Sequence, residues 1–179
     1  MNKMLRNRIA CDLKNLDDLN KIYPWIPNSI SIRPKPIDIE KKKILSMEIQ
    51  SDWNTYSDYI LHVIFGYKYY VNDYGKKITP INNFSPSCNQ NKWVFAPSMF
   101  RYNIIPESNH WILWCLEKDF SFDFPDELIN QIIEEKIKFV LDLESNIDFQ
   151  FAWYKNPKPT IPEFYHVQVF WICSFHNNN

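Results

Sequence analysis

Glycine is almost absent from this sequence, since 179 residues contain only two. Turns therefore have to be built by the twelve prolines and by Asn, Asp and Ser. Long apolar runs are also missing, and none approaches the ~20 residues that span a bilayer. Residues 1–18 carry basic side chains without an apolar segment. We expect neither a membrane span nor a secretory signal.

Closely spaced cysteines are a further absence. The four cysteines contain no CxxC pair, which argues against a zinc site, and we predict no metal and no cofactor. Cys115 and Cys173 lie in apolar runs and are interpreted as reduced core thiols. A cytoplasmic location is expected on this basis.

Charge of one sign is not in excess, because the formal net charge is −1. No global basic field draws nucleic acid to the protein, so nucleic-acid binding is possible but not favoured. The run Lys41–Lys43 offers local contacts for phosphate, or is simply a solvated surface.

Aromatic residues are abundant, at 17% of the chain. Their large buried area supports a sizeable core, and the length suits a single domain spanning 1–179. Within it we expect a polar leader with a short helix at 1–30, a core at 31–173 and a tail at 174–179.

The apolar patterns predict both helices and strands. Helices are expected over 38–49, 56–65 and 125–141, and residues 67–92 are interpreted as a hairpin or a long loop. Strands are expected over 110–115, 149–154 and 165–173. This order predicts an α+β fold with a single antiparallel sheet and helices packed mainly on one face.

The last predicted strand carries the main candidate site. Strand alternation places His166 and Gln168 together on one face, whereas Val167, Val169 and Trp171 point to the other and are expected to be core. Polar groups aimed at a cleft indicate binding or catalysis, although satisfied core positions are an equal alternative.

Further candidates come from the neighbouring segments. His110 and Trp114 share a strand face, and Asn156 lies in a proline-rich loop. Arg33 and Arg101 are two of only four arginines and can clamp an anion. We take His166 and His110 as candidate catalytic residues and the other four, together with Gln168, as candidate ligand-binding residues.

Several of these motifs resemble those of an uncharacterised family whose fungal members are called N-acetylglucosamine-induced proteins, with a related domain in large DNA viruses. The strongest pieces are Asn109-His110-Trp111-Ile112-Leu113-Trp114 and the closing His166-Val167-Gln168-Val169-Phe170. The resemblance spans roughly residues 30–172. The family usually ends on His-x-His, whereas this chain has Gln168 at the second histidine.

A more distant similarity is to the histidine-triad hydrolases and transferases, in which a strand histidine attacks an α-phosphate. The similarity places Gln168 at the nucleophile position and Phe170 at the third position. Glutamine cannot perform that attack, so either the correspondence is shifted onto His166 or the site only binds.

Three functions therefore stay open. The first is a domain that binds a small polar molecule, such as a nucleotide or sugar derivative. The second is a histidine-dependent hydrolase or transferase acting on a nucleotide or sugar phosphate. The third is an aromatic-rich module that binds a protein partner or an RNA cap. The oligomeric state is left open by the sequence.

Overall fold

The structure is a computed structural model, and it describes residues 36–80, 92–102, 108–116, 119, 121–141, 148–156 and 159–174. The predicted leader helix and Arg33 lie outside these residues. The described elements, in chain order, are α1 (Pro36–Asp52), α2 (Tyr56–Val63), β1 (Tyr70–Val71), β2 (Lys77–Ile78), β3 (Trp93–Pro97), β4 (Asn109–Cys115), α3 (Asp126–Leu141), β5 (Asp148–Tyr154) and β6 (Tyr165–Ser174).

The α+β class is confirmed, but the prediction of a single sheet is wrong. The main sheet has four antiparallel strands in the order β3-β4-β6-β5, and β1 and β2 form a separate two-stranded hairpin. The three strands expected to share one sheet do so. Gly75, at φ 76°, lies in the turn between the two short strands of this hairpin.

One face of the main sheet is closed by α3. Ile129, Ile133 and Ile137 of this helix are fully buried against a strand surface that includes Val167 and Val169. Alternation along the strands puts every second side chain on this face, as predicted. The apolar spacing of Leu128, Ile129, Ile132, Ile133, Ile137 and Val140 indicates one stripe on this helix. The buried stripe is narrower, because Leu128 and Val140 are more than one-third exposed.

Helices cover the opposite sheet face as well, whereas the sequence predicts them mainly on one face. Ile60 and Leu61 of α2 are buried in a second cluster with Trp114 of β4 and Phe164. The sheet therefore lies between two apolar layers. His166 and Gln168 share the face with Trp114, because Trp114 pairs with His166 in the β4–β6 register.

The start of α2 is fixed by an N-cap at Thr55, which forms a capping box with Asp58. The Thr55 hydroxyl oxygen accepts the backbone N–H of Asp58 at 3.1 Å and donates to Asp58 Oδ2 at 2.6 Å. Asp58 Oδ1 in turn accepts the backbone N–H of Thr79 at 2.7 Å. The buried carboxylate thus joins the helix start to the segment that follows the hairpin.

Among the described residues, no helix combines the length and apolar character that crossing a membrane requires.

Candidate functional site

The centre of the candidate site is a hydrogen bond between β4 and β6. His110 Nε2 lies 2.7 Å from Gln168 Oε1, and both side chains are buried. His110 Nδ1 lies 3.2 Å from the backbone nitrogen of Tyr102. A backbone N–H can only donate, so Nδ1 accepts and Nε2 carries the hydrogen that His110 gives to Gln168.

This assignment also orients the Gln168 amide. Its oxygen must face His110, which leaves its two N–H groups as the donors that Gln168 can offer to the cleft it lines. The hydrogen bond from His110 therefore determines that Gln168 offers donors, and not its amide oxygen, to a ligand in the cleft.

His110 is held as a neutral imidazole. Its pKa is lowered to about 4, chiefly by burial and to a smaller extent by the charge of Arg101, while the Gln168 hydrogen bond opposes the shift. Its ring stacks on Phe170 at 4.5 Å, and Tyr102 lies against it at 4.7 Å. The ring is thus enclosed, with both nitrogens in hydrogen bonds, as a positioning residue would be.

His166 occupies a separate part of the same face. Its Nδ1 donates to the carbonyl oxygen of Phe164 at 2.9 Å, and its ring lies 4.5 Å from the Trp114 ring. Burial lowers the pKa of His166, and Lys155 adds a smaller effect in the same direction. Both histidines are therefore neutral at pH 7.

The two candidate catalytic histidines lie in different parts of this sheet face. His110 pairs with Phe170, and His166 lies four residues earlier on β6. At ~3.3 Å per residue their backbones are separated by about 13 Å along the sheet. The structure brings His110 to Gln168 and His166 to Trp114, as two adjoining pairs.

A cleft of about 450 Å³ lies over this sheet face, which we call the polar cleft. Apolar side chains of Ile39, Phe100, Ile112 and Ile161 complete its wall, and its polar lining residues are Lys42, Ser98, Tyr102, Asn156, Thr160, His166 and Gln168. No carboxylate is among these lining residues, and Lys42 is the single ionised side chain.

The other predicted ligand residues divide between the cleft and its surroundings. Asn156 lines the polar cleft as expected, and Trp114 is buried beside His166. Arg101 is not one of the lining residues; its guanidinium instead donates to the carbonyl oxygen of Ser108. It therefore acts on the site through the charge that it places near His110.

Ser98, Tyr102 and Thr160 line the cleft and were not singled out by the sequence. Tyr102 directly follows Arg101, which the sequence does mark as a candidate. Lys42 belongs to a lysine run that the sequence marked only as a phosphate contact or a solvated surface. Residues of this kind become recognisable only when α1 and the loops are folded over the sheet.

No family model matches this chain, and neither does any curated protein or any solved structure. The resemblance to the N-acetylglucosamine-induced proteins and the similarity to the histidine-triad proteins stay predictions. Gln168 and Phe170, which the histidine-triad similarity would place at the nucleophile and third positions, both contact His110.

Within the described residues, no three His, Cys, Asp or Glu side chains are grouped so that they could hold a metal ion.

Proposed function

We propose that this protein binds a small polar organic molecule, a nucleotide or sugar derivative, in the polar cleft. The observation that carries the proposal is the Gln168 amide, whose oxygen is committed to His110 while its N–H groups remain as donors for the cleft. A cavity of about 450 Å³ with a few converging polar groups is typical of small-molecule sites.

Binding is favoured over catalysis by the state of the histidines. A general base works best when its pKa lies near the working pH. Burial lowers the pKa of both His110 and His166, and His110 already uses both ring nitrogens. These groups suit the orientation of a ligand, and the alternative of hydrolysis or transfer depends on His166 alone.

The aromatic-docking alternative has less support from the tryptophans. Trp53, Trp93, Trp114 and Trp171 are buried. Trp111 and Trp153 pack against the cluster beneath α3. These rings fill cores, so they are poorly placed to stack on an RNA cap or to dock a partner chain.

The test is ligand binding by calorimetry with AMP and glucose 6-phosphate, supported by thermal shift. A ligand at 100 times its Kd adds about 2.7 kcal/mol to stability. The variant Gln168→Glu keeps an oxygen for His110 but replaces the amide donors with a negative charge, so binding should be lost. Gln150→Glu introduces the same change at an exposed site on β5 that does not line the cleft.

A second variant separates binding from folding at His166. His166→Asn retains an N–H near the position of Nδ1, which can still donate to the Phe164 carbonyl, and removes Nε2. We expect weaker binding with a melting temperature close to that of the wild type. If His166→Asn and Gln168→Glu both bind AMP and glucose 6-phosphate as tightly as the wild type does, the site lies elsewhere.

A further inference from the structure

A second cavity continues the polar cleft toward α1 and α2. It measures about 200 Å³, and we call it the apolar cleft. The two cavities share six lining residues, which form one boundary between them: Lys42, Ser98, Phe100, Ile112, Thr160 and Ile161. The two cavities therefore lie side by side against the same side chains.

The lining of the apolar cleft is mainly hydrocarbon and presents few hydrogen-bonding groups. Leu45, Ile49 and Ile60 contribute to its lining. The Ser46 and Tyr56 hydroxyls hydrogen-bond to each other. A third hydroxyl, that of Tyr59, points to the sulfur of Met99 at 3.9 Å. A polar ring edge would find few partners here, and burying it without them is costly. An alkyl or aryl group fits this lining better than a nucleobase does.

Lys42 supplies charge at the boundary of the two cavities. In the run Lys41–Lys43, Lys41 pairs with Asp38 at 3.8 Å and Lys43 pairs with Glu40 at 3.4 Å, both on α1 itself. Lys42 lines both cavities, and within the part of the chain that the structure describes it forms no ion pair. One cation at this position balances a single anionic group on the ligand.

We propose that the ligand is an amphipathic organic anion, with one phosphate or carboxylate beside Lys42 and an apolar arm in the apolar cleft. This inference rests on the proposed function, because the polar portion of the ligand lies in the polar cleft near Gln168. It adds that the nucleotide or sugar derivative bears an alkyl, acyl or aryl substituent.

The experiment is calorimetry on the full chain with methyl, butyl and hexyl phosphate. Affinity should rise about fourfold for each of the first few added methylenes, the ratio that corresponds to ~0.8 kcal/mol per buried methylene. Leu45→Phe fills the apolar cleft and should abolish this increase while methyl phosphate still binds. Ile44→Phe is the control, because Ile44 is adjacent but lines neither cavity and is half exposed.

The charge is tested by a second matched pair. Lys42→Gln should weaken hexyl phosphate binding by about fivefold, the size expected for one partly solvated charge contact. Lys43→Gln removes the same charge one residue further along α1 and should change affinity by less than about twofold, since surface pairs contribute little. Equal effects of the two variants would overturn the assignment of the anion to Lys42.

The possible results distinguish failure of this inference from failure of the proposed function. If AMP or glucose 6-phosphate binds in a Gln168-dependent way while chain length has no effect, the proposed function stands and the apolar arm is wrong. A chain-length effect that survives Leu45→Phe also overturns the arm, because the alkyl group then binds elsewhere. If none of the five phosphates binds, both proposals fall.

Discussion

His110 and Gln168 form a hydrogen-bonded pair across β4 and β6, with His110 Nε2 donating to Gln168 Oε1 at 2.7 Å. The pair is buried between aromatic rings, and the second imidazole nitrogen accepts from Tyr102. Each member thus determines the state of the other: the histidine orients the amide, and the amide oxygen satisfies the histidine.

Removing the amide oxygen should destabilise the fold. Gln168→Met leaves the His110 N–H buried without an acceptor, which costs about 1–3 kcal/mol. Gln168→Glu retains an acceptor and should unfold at a higher urea concentration than Gln168→Met. Urea unfolding of the three proteins at pH 7 measures this order. If Met is tolerated as well as Glu, the hydrogen bond is not a stabilising contact.

Stability should fall as the solution becomes acidic. The unfolded chain protonates His110 near pH 6.5, whereas burial lowers the folded-state pKa to about 4. Between these values the unfolded state binds more protons, so the contribution is fully present above pH 6.5 and is lost as pH falls through 4. A shift of this size is linked to about 3 kcal/mol, and the lowered pKa of His166 acts in the same direction.

Urea titrations from pH 7.5 to 4.5, with NMR of the His110 ring protons, provide the measurement. We expect the His110 resonances of the folded protein to stay unchanged between pH 7.5 and 5.5. In Gln168→Glu the neighbouring carboxylate should raise the His110 pKa and move the titration to higher pH. A His110 ring that titrates near pH 6.5 in the wild type would contradict the burial of a neutral imidazole.

Strand alternation was enough to predict which side chains of β6 point to the same sheet face. The separation of Val167 and Val169 from His166 and Gln168 follows from a period of two, and the structure has both valines fully buried on the α3 side. Covering of the opposite face was not predicted. Periodicity within a strand does not say which distant helix packs there, and α2 reaches Trp114 from more than fifty residues away.

The sequence predicted which strands carry the candidate site residues, but not which of these residues contact each other. Sequence alternation placed His110 and Gln168 on faces of separate strands, and only the β4–β6 register brings them together. The register also pairs His110 with Phe170, four residues along β6 from His166, a distance that the sequence alone does not give. Lys42 could not be distinguished from its neighbours, since the ion pairs of Lys41 and Lys43 depend on side-chain placement along α1.

The Asp58 carboxylate should be a major source of stability around α2. It accepts from Thr55 and from the Thr79 backbone, and Thr79 returns a hydrogen bond from its hydroxyl to the Asp58 carbonyl at 2.8 Å. Asp58→Ala leaves the buried Thr79 N–H unsatisfied and should cost about 2–4 kcal/mol by urea unfolding. Thr55→Ser keeps the cap hydroxyl and should cost well under 1 kcal/mol, so equal losses in the two variants would contradict this role.

The packing of α3 on the sheet should depend on its narrow buried stripe. Ile133 is fully buried in the cluster with Val167 and Val169, whereas Val140, on the same helix, is 39% exposed. Ile133→Ala removes three carbons from a close-packed site and should destabilise the protein by about 2–4 kcal/mol. Val140→Ala should change stability by less than about 0.5 kcal/mol, because alanine favours the helix and little apolar contact is lost. Urea unfolding of both variants at pH 7.5, above the range in which His110 and His166 titrate, gives the comparison. Equal losses at the two positions would mean that the stripe extends to Val140, as the apolar spacing of the sequence alone indicates.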